Sequence, residues 1–287
     1  MKKATAIVID SAIDLPAEFE KKYNIDVIPL WVSLDGHFFR DRLDLPKPEF
    51  YRRVAADPSM VLKTSQPAPG EIKTVLNKAL ERGSQVILFT LSSRLSGTFQ
   101  NALAAIKLLP PEARQRITVI DTLNVSGGSG LLVMKAVEWL ESGLGVEETT
   151  VRVEYIRPAV LSLGYIETLD YAVRGGRLPV ALNRLSKLFH LKVLPQFSDG
   201  RLVKAGIMIG SRNKVSRVVK RFVKKLNLGK SYWLGIVDTG EPKVSAALKT
   251  ELEKSGLKIG RLFQVIGSPT LGAHAGPGTF CLFALAQ

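Results

Sequence analysis

From Val86 to Phe89 the chain is apolar at every position, and apolar residues then return at helical spacing through Phe99, Ala102, Leu103 and Ile106. A run so short and so uniformly hydrophobic marks a strand buried on both faces. Such a strand needs helices on either side of its sheet, which restricts the chain to a layered α/β architecture. The same grammar recurs through the first half. "TAIVIDS", "IDVIPLWVSL" and "ITVIDT" read as further strands, with "DG" after the second as a turn. "LPAEFEKKY", "KPEFYRRVAA", "PGEIKTVLNKALERG" and "SGLLVMKAVEWLESG" read as helices, the third opening on proline and ending on glycine. A doubly wound, mainly parallel N-terminal sheet is expected.

The second half is patterned differently. After a helix in "VEETTVRVEYIRPAV" come "LSLGYIET", "LDYAVRGGRL" and a helix from about Pro179 to Phe189. In "LKVLPQFSDGRLVKAGIMI" two apolar runs flank Asp-Gly, the signal of a β-hairpin. A helix, the strand "YWLGIVDTG", the helix "EPKVSAALKTELEKSG" and the strands "RLFQVIG" and "TFCLFALA" follow. This mixture predicts a mixed or antiparallel sheet covered by helices. A chain of 287 residues is long for one core. The change of pattern sets a boundary near residue 157, giving units 1–157 and 158–287.

Hydrophobic residues make up 46% of the chain, yet no apolar stretch is long enough to span a bilayer. The start, "MKKATAIVIDS", runs into strand-like sequence, not into a signal-peptide core, so a cytoplasmic protein is expected. The single cysteine, Cys281, excludes an internal disulfide and reads as a small buried side chain. A formal charge of +14 calls for an acidic partner: nucleic acid, an anionic lipid surface or an acidic protein. In "SRNKVSRVVKRFVKKLNLGK" the stripe Val215, Val218, Val219, Phe222, Val223 and Leu226 puts the basic residues on the opposite face. That face is either simply solvated or a docking surface for a membrane or partner.

Several chemistries are excluded by spacing. The chain has no G-x-x-x-x-G-K-[ST] phosphate loop, no G-x-S-x-G nucleophile elbow and no H-E-x-x-H. His37, His190 and His274 lie far apart in sequence with no cysteines or paired carboxylates at ligand spacing, so no metal is expected. "SGGSG" follows a strand but lacks the full dinucleotide pattern. What remains is a set of loops rich in hydroxyls and glycines and poor in cations: 63–71, 91–98, 124–130, 174–177 and 272–278. A carboxylate leaving water needs several directed donors, which serine and threonine supply, while glycine admits the backbone closely. At the end of the strand 86–90 such a loop faces a helix N-terminus, a natural anion site. Ser96 there serves as helix cap, as ligand contact, or both.

In order along the chain, "VIDSAIDLP", "KTSQPAPGEI", "LSSRLSGTFQNA", "VIDTLNVSGGSGLLV", "YIETLDYAVRGGRLP" and "HAGPG" resemble the signature segments of the DegV family of bacterial fatty-acid-binding proteins. The resemblance implies a two-domain DegV-like α/β fold holding one long-chain fatty acid between its domains. It also implies a non-enzymatic, FakB-type subunit that presents the acyl carboxylate to a separate ATP-dependent fatty acid kinase in phospholipid synthesis, with transient contact to an anionic membrane surface. The family's binding threonine corresponds to Thr64, with Ser65 beside it, its serine to Ser96 and its histidine to His274. Its arginine corresponds to Arg177, although Arg174 could reach the same head group. With the surrounding loop residues Gly97, Thr98, Ser126 and Gly276 these form the expected ligand-binding set. Ile9, Ala12 and Ala273 stand where threonines are frequent in the family. No cofactor is expected beyond the bound acid. A serine-dependent acyl hydrolase or transferase using Ser96 and His274 is the alternative, although no acid is apparent to orient the histidine. With aromatics at 7% and no reading motif, specific nucleic-acid binding is not expected.

Overall fold

The computed structural model describes residues 5–175 and 189–287. The uniformly apolar run becomes β6 (Val86–Thr90), buried at all five positions. It lies inside a parallel sheet of order β2-β1-β6-β7, with β1 (Ala6–Asp10), β2 (Asp26–Ile28) and β7 (Ile117–Asp121). Successive side chains alternate between faces. Val8 and Leu88 pack beneath α3 (Pro69–Arg82) and α4 (Thr98–Lys107), whereas Ile7, Ile9, Ile87 and Phe89 join the core on the other side. That second side is covered by α6 (Ser126–Glu141), against which α7 (Val146–Ile156) packs.

The second sheet has the order β12-β11-β13-β8, built from β8 (Leu161–Tyr165), β11 (Ser231–Asp238), β12 (Lys258–Ile266) and β13 (Phe280–Ala286). β11 runs parallel to β12 and antiparallel to β13, and β13 is antiparallel to β8, so the sheet is mixed as expected. Tyr232, Leu234, Ile236 and Leu282 pack toward α9 (Lys214–Val223) and α10 (Pro242–Glu253). Trp233, Val237, Phe283 and Leu285 turn the other way, onto α6. Helix α6 is therefore enclosed by both sheets, which explains why it is apolar nearly all round. A Cβ on Gly127 would sit 2.8 Å from Val237 and one on Gly128 3.0 Å from Phe283. The glycines of "SGGSG" thus serve close helix-to-sheet packing, and of the expected loop 124–130 the residues from Ser126 onward open this helix.

Two smaller sheets complete the chain. β9 (Leu191–Ser198) and β10 (Arg201–Ile209) form the expected hairpin, its Asp199 and Gly200 both at positive φ as a type I′ turn demands. The other is antiparallel, of order β4-β3-β5, with β3 (Trp31–Leu34), β4 (His37–Arg40) and β5 (Leu62–Ser65), covered by α2 (Lys47–Ala56). Two expectations change here. "IDVIPLWVSL" is not one strand: it divides at Pro29 into β2 and β3, which enter different sheets, since proline offers no N–H to a continuing ladder. Thr64 and Ser65, expected in a loop, lie on β5. Short helices α1 (Ala17–Lys22) and α5 (Pro111–Arg114) lie at the surface, while α8 (Asp170–Arg174) and α11 (Pro269–Ala275) pack against each other with buried residues on both. The helix expected from about Pro179 falls outside the described residues except for Phe189, which lies in a turn. Among the described residues no helix is long and apolar enough to cross a membrane.

Candidate functional site

The candidate site is centred on β5, against which α11 packs and to whose end the loop leaving β6 is tied. On β5 the side chains alternate: Leu62 is buried and Thr64 half-buried toward α11, while Lys63 and Ser65 are exposed on the opposite face. Helix α11 carries His274 in its last turn, and Nε2 lies 2.8 Å from Thr64 Oγ1. This contact joins residues 210 apart in sequence. The segment 272–278, expected as a loop, is thus helical up to Ala275. Gly276 ends it at φ +71, and a Cβ there would lie 2.2 Å from the Tyr171 ring. Glycine is required at that position for the chain reversal and for the approach of α8, which accounts for the residue without a ligand.

The loop after β6 is clipped to the end of β5. Gly97 donates its amide to Gln66 Oε1 at 3.0 Å, and Asn101 Nδ2 donates to the Pro67 carbonyl at 2.9 Å. Ser96 Oγ lies 2.9 Å from Thr98 Oγ1 and accepts the Thr98 amide at 3.3 Å. The N-cap of α4 is Gly97, one residue past the serine expected there. Ser96 still takes one amide of the first turn, the service a capping hydroxyl performs. Asp10 ends β1 beneath this loop and accepts the amides of Leu91 at 2.6 Å and Ala12 at 3.0 Å. Burial pushes its carboxyl up to about 7, against the pull of those two amides. Asp41 is likewise buried and raised to about 6 by desolvation, with the hydroxyls of Thr270 and Ser11 pulling the other way.

Thr64, His274, Ser96, Gly97 and Thr98 therefore lie on three adjoining elements. Ser126 is not brought into that group. Its hydroxyl is buried and donates to Asp14 Oδ2 at 2.7 Å, while Lys47 takes the other Asp14 oxygen at 2.7 Å. Arg174 donates to the carbonyls of Pro58 at 2.9 Å and Met60 at 3.1 Å and lies over the Tyr171 ring, tying α8 to the segment before β5. Arg177 lies outside the described residues. Nε2 of His274 meets Thr64, and Oγ of Ser96 meets Thr98. Asp10, Asp41 and Gln66 were not singled out as functional residues from sequence; the signal available was a carboxylate closing an apolar strand in "VIDS". Among the described residues no group of three or more His, Cys, Asp or Glu side chains is placed to hold a metal ion. Beside α8 a cavity of about 320 Å³ is lined by Ile166, Glu167, Thr168, Leu169, His190, Leu191 and Lys192.

Such an arrangement offers hydroxyl and imidazole groups beside the carboxyl end of a parallel sheet, a setting suited to a single carboxylate. A DegV domain-containing protein of Caldanaerobacter subterraneus is 30% identical over 283 residues, 97% of each chain. A Thermus thermophilus DegV family protein described for its fatty acid binding superposes with a TM-score of 0.87 at 30% identity, covering 99% of this chain and all of that one. A DegV lipid binding protein of Thermotoga maritima superposes with a TM-score of 0.85 at 29% identity, over 100% and 99% of the two chains. Residues 4–287 match the sequence model of the family described as uncharacterised protein, DegV family, and the chain belongs to that family.

Proposed function

We propose that this protein binds a long-chain fatty acid. Its carboxylate is held where Thr64 meets His274, beside the hydroxyls of Ser96 and Thr98, and its tail is buried between the units that divide near residue 157. The 2.8 Å contact between Thr64 and His274 carries this reading, because it fixes two polar groups 210 residues apart in the chain at one point. The fatty acid binding described for the Thermus thermophilus relative supports it. Ile166, Leu169 and Leu191 in the cavity beside α8 supply the second unit's apolar wall for the tail. About fourteen methylenes of a sixteen-carbon acid, at ~0.8 kcal/mol each, contribute on the order of 11 kcal/mol before rigid-body and torsional losses. Affinity comes from the tail and orientation from the head group.

Neutral donors suit a ligand that must leave. They solvate the carboxylate through charge-assisted hydrogen bonds of roughly 1.5–3 kcal/mol each without the grip of an ion pair. In this reading the acid is presented to a separate ATP-dependent fatty acid kinase, the chain itself acting as the lipid-binding subunit in the cytoplasm. The charge of +14 favours an acidic partner face and transient contact with an anionic bilayer. Lys220 and Arg221 are exposed on α9 and Lys224 at its C-cap, and Ile207 and Ile209 are exposed on β10.

The test is lipid extraction and native mass spectrometry of the purified protein, followed by binding of hexadecanoic acid to the wild type and to Thr64→Val, Ser96→Ala and His274→Ala. A co-purified fatty acid and weakened binding in the variants are expected. Absence of any bound or bindable acid would sink the proposal. Acyl phosphate formed with a cognate kinase, and lost in the variants, tests the presentation step.

A further inference from the structure

We infer that Asp41 is a positioning residue for His274 and acts through Thr270; this deepens the carboxylate-binding reading and rests on it. Asp41 follows β4 and is held at the backbone, its amide donating to the Leu30 carbonyl at 2.8 Å. Its side chain is 1% exposed. Oδ2 accepts the hydroxyl of Ser11 at 2.8 Å and that of Thr270 at 2.5 Å, with the Thr270 amide at 3.4 Å. Oδ1 is buried without a hydrogen-bond partner among the described residues. The cost of burying a carboxylate so poorly supplied with donors sets a demand that general stability does not explain, since an apolar residue would fill the space without it.

What Asp41 grips is the helix that carries the histidine. Thr270 and His274 are four residues apart on α11 and so share a face, one turn from each other. A helix of seven residues has little stability of its own, so its rotation is set by the groups its ends bond. Several N-terminal groups hold the segment leading into it: Lys47 Nζ donates to the Ile266 carbonyl at 2.7 Å and Tyr51 Oη to the Gly267 carbonyl at 3.1 Å. Those bonds fix the backbone before the helix begins. Of these tethers, Asp41 alone holds a side chain on the face that presents His274 to Thr64. A carboxylate at the first turn also matches the helix dipole and forms the shorter, stronger class of hydrogen bond. Rotation of α11 by a few degrees lengthens and bends the contact between His274 Nε2 and Thr64, weakening it, because hydrogen bonds favour about 2.7–3.2 Å and a near-linear angle.

The test compares hexadecanoic acid with its methyl ester, which has the same tail and no charge, on the full chain. Thr270→Val keeps the branched shape and removes the hydroxyl; Thr270→Ser restores it. Thr270→Val is expected to weaken the acid about tenfold, the scale of one compromised hydrogen bond to a carboxylate, and the ester less than about twofold. Thr270→Ser returns the acid to within about twofold of wild type, and in a His274→Ala background Thr270→Val changes acid binding no further. Equal loss of acid and ester, or no loss of acid, overturns the positioning role. A wild type that binds no acid, or a His274→Ala protein that binds it undiminished, overturns the carboxylate reading and the positioning role with it. Without any ligand, the ring resonances of His274 are expected to shift in Thr270→Val while those of His37 and His190 stay; unmoved His274 signals also overturn it. Should Thr270→Val fail to fold, the same comparisons are made on Thr270→Ala and Asp41→Ala, with the same outcomes deciding.

Discussion

Raising the pH from 5 to 8 is expected to destabilise the folded protein by ~4 kcal/mol, a large part of the 5–15 kcal/mol typical of a native domain. The groups responsible are Asp10 and Asp41. Burial raises Asp10 from its ordinary 3.8 to about 7, opposed by the amides of Leu91 and Ala12 and reinforced by the charges of Asp41 and Asp14. Burial raises Asp41 to about 6, opposed by Thr270, Ser11 and the nearby Arg42. A carboxyl whose folded value lies above its unfolded one keeps in the native state a proton that the unfolded chain has released. Its contribution is complete below pH 3.8 and is lost as the pH climbs through the folded value. At ~1.36 kcal/mol per unit, Asp10 accounts for ~2.7 kcal/mol of the loss above pH 5 and Asp41 for ~1.4. Glu167 acts in another window. Its desolvation is outweighed by Lys192 and Lys214, which hold it at about 2, so its support is constant above pH 5 and fades only in stronger acid. Urea denaturation at unit steps from pH 5 to 8, with the m-value monitored, measures the decline directly. Asp41→Asn keeps an acceptor for Ser11 and Thr270 and removes the titration, so its curve should fall by about one third less. A wild-type stability that is flat or rises over this range would refute the reasoning.

Three further outcomes follow from the packing and the site. Gly276→Ala forces a side chain into a positive-φ position and against the Tyr171 ring; a loss of at least ~3 kcal/mol in thermal or chemical denaturation is expected, and a neutral result would contradict the close approach of α8. Gly128→Ala pushes a methyl against Phe283 and should cost ~1–3 kcal/mol, with Phe283→Leu relieving part of that cost in a double-mutant cycle. Ser126→Ala removes the hydrogen bond to buried Asp14 and should lower stability by ~1–3 kcal/mol while leaving hexadecanoic acid affinity within about twofold, in contrast to Thr64→Val; a large affinity loss in Ser126→Ala would return that residue to the ligand.

The layers of the fold were legible because they depend on patterns that a single segment carries. Val86–Thr90 is apolar throughout because both its faces are covered, and α6 is apolar nearly all round because two sheets enclose it. Both Asp-Gly turns, at Asp35-Gly36 and Asp199-Gly200, lie at positive φ, as their sequence demands. The small sheet was harder to read. β5 alternates in burial but has Leu62 as its one apolar residue, and β4 is largely exposed, so neither strand carries in its sequence the apolar–polar alternation that signals a half-buried one. Their pairing with β3 decides their conformation, and no window of sequence contains both partners. Pro29 was a visible break between β2 and β3, masked by the apolar residues on each side.

The site was legible in part for the same reason. Thr64, Ser96 and His274 are residue types suited to holding a carboxylate, and the chain brings their elements together; identical types elsewhere serve the fold. Ser126 has a hydroxyl beside a run of glycines, as a ligand loop would, but its partner is Asp14, 112 residues away in sequence. Gly276 lies next to the histidine segment, yet its lack of a side chain answers to Tyr171. A hydroxyl or a glycine states what contact a position permits, and only the tertiary partner says which contact is made. Asp41 presents the converse case: surrounded in sequence by Arg40, Arg42 and Asp44, it reads as one more surface charge, whereas the fold buries it beneath α11 with Thr270 and Ser11 as its donors. Charged residues are seldom buried without purpose, so the most informative side chain near this site is one whose local sequence gives no hint of its surroundings.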